Sequence, residues 1–270
     1  MSCRIYFGIS YYLDSESSSE LRSGHMKDWH VHIGQYFEAY YDFHDVFWVL
    51  KNNGVTEAVV AYLTPKFDDE KHSLDFYHAV LDELKEANCF AQDIGLKTDF
   101  LHWADPFVLK SISLEKIFSE FNYSGIAIHP LLHNWTKEHP LLLTQIFEFA
   151  QKYKLPLFIH TGLSEADEPL QFEKWFCKFP DVKTHLAHCK DPDATISLFS
   201  KHPNLLGDTA FCPHDSYSKI CKAGFKDRML FGTDFPITHW YEQNKNADYD
   251  FNSLNKNYQR LQLSALNTET

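Results

Sequence analysis

Two histidines separated by one residue, His30 and His32, are the side chains of this sequence best placed to do chemistry. Side chains two residues apart on an extended strand point to the same face, so both imidazoles can reach one ion. Far downstream, an apolar run that begins at Met229 ends in the carboxylate of Asp234. Nitrogen and oxygen ligands that come from separate elements favour a site for a divalent metal ion.

Two further histidines end short apolar runs of strand length. His160 follows Leu157-Phe158-Ile159, and His188 follows Leu186-Ala187. A histidine pair alone is weak evidence for a metal, because the chain contains 16 histidines. A position at the end of a strand strengthens it, although hydrogen-bonded structural histidines are the alternative.

The elements that must position these residues follow a regular alternation. Eight β-rich runs are separated by longer amphipathic stretches such as 74–91 and 141–154, which is typical of parallel strands joined by crossover helices. The predicted strands are 28–33, 56–63, 98–103, 125–129, 157–160, 183–188, 205–209 and 229–233. Eight such units predict a single-domain α/β fold, the TIM (β/α)8 barrel, whose active sites lie at the carboxyl ends of the strands. His32, His102, His129, His160, His188, Asp208 and Asp234 all fall at or near such ends.

The two ends of the chain differ from this pattern. Residues 1–25 contain a run rich in serine and glutamate and precede the first strand, so they are predicted to be a flexible extension. Met26 lies just before the first motif, which also makes it a candidate for the native start. The barrel is assigned to 26–270, with a loop at 237–249 and a last helix at 252–266.

Composition excludes several classes of partner. A chain of 270 residues with 44% hydrophobic content can bury a full core, and a net charge of −12 disfavours binding to nucleic acid or to anionic membranes. A small-molecule substrate fits better. No apolar run approaches the ~20 residues of a membrane span, and six scattered cysteines are typical of reduced thiols, so we expect a cytoplasmic protein.

Several of these runs together resemble the amidohydrolase superfamily of metal-dependent hydrolases, and in particular its second large branch, which includes decarboxylases and lactonases. The resemblance covers 26–267 and is carried by Asp28-Trp29-His30-Val31-His32, Gly125-Ile126-Ala127-Ile128-His129-Pro130, Leu155-Pro156-Leu157-Phe158-Ile159-His160-Thr161-Gly162, Leu186-Ala187-His188 and Leu230-Phe231-Gly232-Thr233-Asp234-Phe235-Pro236. It implies that His30, His32, His160 and Asp234 bind one divalent ion, zinc in most such proteins, with manganese as the alternative. It also implies a water that the metal activates and whose proton Asp234 accepts.

The same resemblance leaves several roles open. His188 either orients the water or the substrate oxygen, or binds a second ion. Relatives with two metals bridge them by a carboxylate or a modified lysine where this chain has Ile128-His129-Pro130, so one ion is favoured. His129 either binds substrate or anchors its loop.

Two acidic residues complete the predicted site, and one further histidine is excluded from it. Asp28 is either an acceptor behind the ligands or a strand-entry residue, and Asp208 is either a hydrogen-bond partner of an imidazole or a turn residue. His185 shares inward parity neither with His188 nor with the motif, so we leave it out of the site.

The arginines bear on the choice of reaction. Arg4, Arg22, Arg228 and Arg260 all lie away from the predicted carboxyl ends of the strands. Decarboxylases must hold a carboxylate, for which arginine is the usual clamp, so the sequence favours hydrolysis of a C–O or C–N bond over decarboxylation. A binding barrel without catalysis is a third reading, disfavoured because a scaffold has no need of four convergent ligands. Barrels of this type often pair through outer helices, so a homo-oligomer is compatible with the sequence.

Overall fold

The computed structural model describes residues 26–243, and these form a barrel of parallel strands surrounded by helices. The strands are β1 (Lys27–Tyr36), β2 (Ala39–Tyr41), β3 (Glu57–Leu63), β4 (Lys97–Trp103), β5 (Gly125–Ile128), β6 (Leu157–Ile159), β7 (Thr184–Leu186), β8 (Leu205–Asp208) and β9 (Met229–Leu230). Each of the eight predicted runs overlaps one of the parallel strands. The extension at 1–25 and the helix at 252–266 lie outside the described residues.

Strand order follows the chain, as a barrel of βα units requires. β1 pairs with β3, and each following strand pairs with the next as far as β9, all in parallel. β2 forms an antiparallel hairpin with the last three residues of β1. Three backbone hydrogen bonds join the first strand to the segment that contains and follows the last: Trp29 N–H to Phe231 O (2.9 Å), Asp234 N–H to His30 O (2.8 Å) and His32 N–H to Phe235 O (2.8 Å). These bonds close the barrel and confirm the predicted fold.

The crossover helices are α1 (Phe43–Asn52), α2 (Glu70–Asp93), α3 (Pro106–Ser111), α4 (Leu114–Glu120), α5 (Pro130–His133), α6 (Trp135–Glu138), α7 (Pro140–Tyr153), α8 (Glu173–Lys178), α9 (Pro192–Lys201), α10 (His214–Ile220) and α11 (Ile237–Gln243). Their starts are marked in the sequence: Asp42, Asp69 and Asp191 accept backbone N–H groups of the first turn of α1, α2 and α9. The loop predicted at 237–249 is wrong for its first half, because α11 occupies 237–243. None of the helices in the described part is both long and apolar enough to cross a bilayer.

Side chains pack in two layers. Between strands and helices lies a large apolar layer that includes Phe47, Phe147 and Phe176, each with no measurable exposure. Inside the barrel, alternate strand residues form a second cluster: Val59, Ala61, Leu101, Ala127, Phe158 and Ala187, flanked by Trp29 and Trp103. Small residues dominate this inner cluster, which leaves room at the carboxyl ends for a cavity.

Ion pairs fill the opposite end of the barrel. Lys27 Nζ lies 2.6 Å from Asp99 Oδ2 and 3.5 Å from Glu57 Oε2, and Lys97 Nζ reaches Glu57 Oε1 at 3.0 Å. Lys27, Glu57 and Lys97 begin β1, β3 and β4 and lie side by side in register, and Asp99 lies two residues further along β4. Lys27 also packs over the ring of Trp29, which seals the amino-terminal end of the interior.

One of the titratable residues at a predicted strand end faces away from the cavity. His102 is 3% exposed and points out of the barrel, where its ring contacts those of Tyr77, Phe118 and Tyr123. The grouping of His102 with the residues of the rim is therefore wrong. Position 102 alternates with Leu101 and Trp103, which face the interior, so strand parity sends its side chain outward.

His102 should make the protein acid-sensitive. Burial lowers the pKa of His102 to about 3, while the unfolded chain takes up the same proton near 6.5. The folded state therefore loses stability as pH falls from about 6.5 towards 3. Replacing His102 by Phe should remove about 2 kcal/mol of the wild-type difference in unfolding free energy between pH 8 and pH 5, measured by urea titration. An unchanged difference would contradict this account.

Candidate metal centre

The first and last strands of the barrel bring three ligand atoms together. His30 Nε2 and His32 Nε2 lie 3.1 Å apart, and Asp234 Oδ1 lies 3.4 Å from the first and 3.1 Å from the second. All three side chains are buried. The donor atoms lie close enough for one small cation to touch all of them, and the histidine and carboxylate donors suit zinc or manganese.

Two more histidines stand beside these three residues. His188 Nε2 lies 3.0 Å from His160 Nδ1, and His188 Nδ1 lies 3.9 Å from Asp234 Oδ2. The rings of His30 and His188 lie 5.1 Å apart between centroids. His160 is thus grouped with His188, at the edge of the cluster formed by His30, His32 and Asp234. We use the name histidine cluster for His30, His32, His160 and His188.

Each member of the histidine cluster has a hydrogen-bond acceptor or a carboxylate behind it. Asp208 Oδ2 lies 2.8 Å from His30 Nδ1, and the carbonyl oxygens of Ala61 and Ala210 lie 3.1 and 2.8 Å from Nδ1 of His32 and His188. His160 Nε2 faces Asp167 Oδ2 at 3.5 Å. The hydrogen bonds assign an N–H to Nδ1 of His30, His32 and His188, and the Asp167 carboxylate favours one on Nε2 of His160.

The inner nitrogens consequently present lone pairs to one another. Neutral rings at 3.1 Å for the pair His30 and His32, and at 3.0 Å for His160 and His188, repel unless a positive charge lies among them. The Asp234 carboxylate adds a negative charge to the same space. The donor set therefore fits a divalent cation, and this fit comes from the arrangement of the hydrogen bonds.

The electrostatics of the cluster point the same way. Burial opposes protonation of His30, but the carboxylates of Asp234 and Asp208 outweigh it and raise the pKa of His30 to about 9. Without an ion, a proton on His30 thus supplies the missing positive charge. Burial, together with charge on His160 and His30, holds the pKa of His188 well below its usual value.

The backbone around the site adopts strained conformations. His188, Cys189, Phe211 and Asp234 all have left-handed φ values, between 42° and 71°. Such a conformation costs of order 1–3 kcal/mol in a residue other than glycine. Four of them at the carboxyl ends of β7, β8 and β9 indicate that the fold bends the chain here to aim side chains into the cavity.

A cavity of about 360 Å³ opens above the histidine cluster, within the ~300–1,000 Å³ of small-molecule sites. His129 forms part of its wall. Its ring stacks between those of His160 and Trp103, at centroid distances of 4.0 and 5.4 Å. Burial keeps the pKa of His129 well below its usual value. Among the described residues, Lys190 is the lysine that lines the cavity and no arginine does; the other aromatic lining residues are Tyr36, Phe158, Phe211 and Tyr241.

A protein-family model described as Amidohydrolase matches residues 98–251, more than half of the chain. The chain belongs to the amidohydrolase family. The match includes His129, His160, His188, Asp208 and Asp234, while His30 and His32 precede it. Those two histidines lie on β1, which is brought beside Asp234 because the barrel closes between β1 and the segment after β9.

Solved structures share the amidohydrolase barrel at low identity. A 5-carboxyvanillate decarboxylase from Novosphingobium aromaticivorans, complexed with manganese, has a TM-score of 0.53 at 14% identity over 74% of this chain and 73% of its own. A dihydroxybenzoic acid decarboxylase from Polaromonas with bound manganese gives 0.53 at 13% over 87% and 96%. A probable 2-pyrone-4,6-dicarboxylic acid hydrolase from Acinetobacter baumannii gives 0.56 at 11% over 87% and 91%. No curated protein gave a significant match.

The two acidic residues predicted to support the site have clear structural partners. Asp208 is fully buried and accepts four hydrogen bonds, from His30, His185 and the backbone N–H groups of His188 and Ala210. Asp28 contacts no imidazole ring; its oxygens accept the N–H of His30 and both the N–H and the hydroxyl of Thr233. Through these hydrogen bonds, Asp28 attaches the segment that contains Asp234 to strand β1.

Sequence reasoning missed two residues. His185, which we left out of the site, is not among the cavity-lining residues, but its Nε2 lies 2.9 Å from Asp208 Oδ2 and its ring packs on Phe158. Parity failed because β7 ends at Leu186, and the left-handed turn at His188 breaks the alternation. Asp167, behind His160, lies in a loop and had no positional signal beyond its distance of seven residues from His160.

The raised pKa of His30 gives a direct test of this electrostatic environment. Asp208→Asn should lower the pKa of His30 by at least about one unit, because it removes one of the carboxylates that stabilise the imidazolium and the one hydrogen-bonded to it. NMR titration of metal-free protein measures the change. Asp191→Asn, at the start of α9 and outside the site, is the control and should leave the pKa of His30 unaltered. Equal values in wild type and Asp208→Asn would contradict the assignment.

Proposed function

We propose that this amidohydrolase is a metal-dependent enzyme that hydrolyses a C–O or C–N bond, as in a lactone, an ester or an amide, of a small molecule. The observation that carries this proposal is the convergence of His30 Nε2, His32 Nε2 and Asp234 Oδ1, with an acceptor behind each of the two imidazoles. We further propose that His30, His32, His160 and Asp234 hold one divalent ion, zinc or manganese. Two of the solved structures that share the fold contain manganese, which supports this choice of metal.

A bound divalent ion supplies Lewis acidity, which lowers the pKa of water and polarises a substrate oxygen. Residues of the chain itself accept the proton and orient the water or substrate. Asp234 directs Oδ1 to His30 and His32 and leaves Oδ2 near His188, so this second oxygen can accept a proton from the attacking water. His188 is neutral and donates Nδ1–H to Ala210 O, so its Nε2 can accept a hydrogen bond from water or substrate.

The cavity wall supports the substrate. Trp103, Phe158 and Phe211 exclude water from the site, and the flat stack of Trp103 and His129 offers a face for a planar group. In this proposal His129 binds substrate, Asp28 and Asp208 position the ligands, and no partner other than a small molecule is required. The cytoplasmic location and the homo-oligomer stay predictions.

Decarboxylation is the second candidate, because decarboxylases are among the proteins that share this fold. Lys190 is the cavity cation that could hold a carboxylate in that reaction. The lack of an arginine among the described lining residues favours hydrolysis, since the planar guanidinium is the better carboxylate clamp.

The reaction type can be decided by product analysis. Metal-loaded protein is incubated with a panel of lactones, esters and amides and, separately, with aromatic carboxylates. We expect uptake of one oxygen atom from ¹⁸O-labelled water into the product of the first group and no release of carbon dioxide from the second. Carbon dioxide release without activity on the first panel would replace hydrolysis by decarboxylation.

The role of Asp234 can be separated from its effect on folding. Asp234→Asn should lower kcat by a factor of roughly 10² or more, because the amide cannot accept the proton, while the unfolding temperature changes little. Asp227→Asn, an exposed change on the turn before β9, serves as the control and should keep full activity. Wild-type protein prepared without chelator should contain about one equivalent of metal. Protein free of any transition metal would refute the site.

A further inference from the structure

A buried carboxylate outside the sequence motifs lies directly behind His160. Asp167 belongs to the loop between β6 and α8 and is 3% exposed. Its Oδ1 accepts the backbone N–H of Ser164 at 2.9 Å and the hydroxyl of Ser164 at 2.6 Å. Within residues 26–243, the basic side chain within 4 Å of this carboxylate is His160, whose Nε2 lies 3.5 Å from Oδ2. A carboxylate is buried at such a place only when neighbouring donors stabilise it.

Gly162 makes this position accessible to Asp167. A Cβ atom at residue 162 would lie 2.2 Å from Asp167 Oδ2, well inside van der Waals contact. The backbone N–H of Gly162 also donates to the carbonyl oxygen of Asp167 at 2.9 Å. The loop therefore folds back on the residue that follows His160-Thr161, and glycine is needed there because the carboxylate occupies the space of a side chain.

The Asp167 carboxylate lies behind His160 as acceptors lie behind the other candidate ligand histidines, at the longer distance of 3.5 Å. His30 is backed by Asp208 and His32 by the carbonyl oxygen of Ala61, and in both rings Nε2 points inward. In His160 the ring is reversed: Nδ1 points inward, to His188, and Nε2 points to Asp167. A histidine that presents Nδ1 needs its proton on Nε2, and Asp167 is the acceptor that the structure places there.

We propose that Asp167 is a positioning residue that holds the proton on Nε2 of His160 and so directs Nδ1 of that ring into the metal site. The assignment rests on the proposed function, since it concerns the same site. Asp167 touches neither substrate nor metal and acts through His160 alone. Ser164 holds Asp167 Oδ1 by two hydrogen bonds, and Gly162, which has no side chain, leaves space for Oδ2.

The first test measures zinc affinity by competition with a chromophoric chelator. Asp167→Ala should weaken binding about 10–100-fold, the usual effect of losing the partner of a ligand histidine. Asp167→Asn keeps an oxygen acceptor and should lose less. Glu168→Ala is the matched control, because Glu168 lies in the same loop but accepts the N–H of Leu170 and should leave the zinc affinity unchanged. Affinity for zinc in Asp167→Ala equal to that of wild type would overturn the proposal.

A second measurement does not depend on zinc or on activity. The ¹⁵N chemical shifts of the His160 ring in metal-free protein should report Nε2–H in wild type and a mixture of both tautomers in Asp167→Ala. If wild type binds no zinc but shows this tautomer change, the proposed metal function fails and the role of Asp167 stands. If wild type binds zinc and the tautomer is the same in both proteins, the role of Asp167 fails and the metal site stands.

A double-mutant cycle tests the part played by Gly162. Gly162→Ala should weaken zinc binding in wild type because the added methyl displaces the Asp167 carboxylate. The same change made in Asp167→Ala should have little further effect, since the clashing group is gone. Equal losses in both backgrounds would show that Gly162 acts independently of Asp167 and would contradict the inferred arrangement.

Discussion

The site of this protein depends on how the barrel closes. The segment from Phe231 to Phe235 continues past the two residues of β9 and forms backbone hydrogen bonds with β1 on both sides of His30. Asp28 reinforces this seam by accepting three hydrogen bonds from His30 and Thr233. Because of these bonds, ligands about 200 residues apart in the sequence lie within 3.4 Å of one another. Any change that opens the seam separates Asp234 from the histidines.

A second constraint is that each imidazole must expose the right nitrogen. Rotating a ring or moving its proton would destroy the donor set without moving the backbone, and the structure prevents this with an acceptor behind every ring. Asp208 is the acceptor with the most hydrogen bonds, since its Oδ2 accepts from both His30 and His185. The burial of so many charged and polar groups lowers stability, as do the left-handed residues at the strand ends. The large apolar layer between strands and helices offsets that cost.

Hydrophobic patterning was enough to predict the eight parallel strands, because buried strands in a βα barrel have a strong and regular signal. The order of the motifs predicted the proximity of His30, His32 and Asp234, and the structure places His160 beside them with His188; their roles as metal ligands stay predictions. Contacts that depend on where a strand ends could not be predicted from the sequence. His185 and His102 were both misplaced by one step of alternation, and Asp167 is brought to His160 by a loop whose path is not encoded in any periodic pattern. Helix α11 was missed because the turn signals around Pro236 outweighed a short helix.

The ion pairs at the amino-terminal end of the barrel have a consequence for turnover. Lys27, Glu57 and Asp99, with Trp29 above them, occupy the interior on the side opposite the cavity. Substrate and products must therefore share one entrance, at the carboxyl ends of the strands. In the hydrolysis that we propose, the larger product would leave by the route along which the next substrate arrives and would block the site while it is bound. Inhibition by that product is then competitive with substrate, and its rate of departure sets an upper limit on the catalytic cycle.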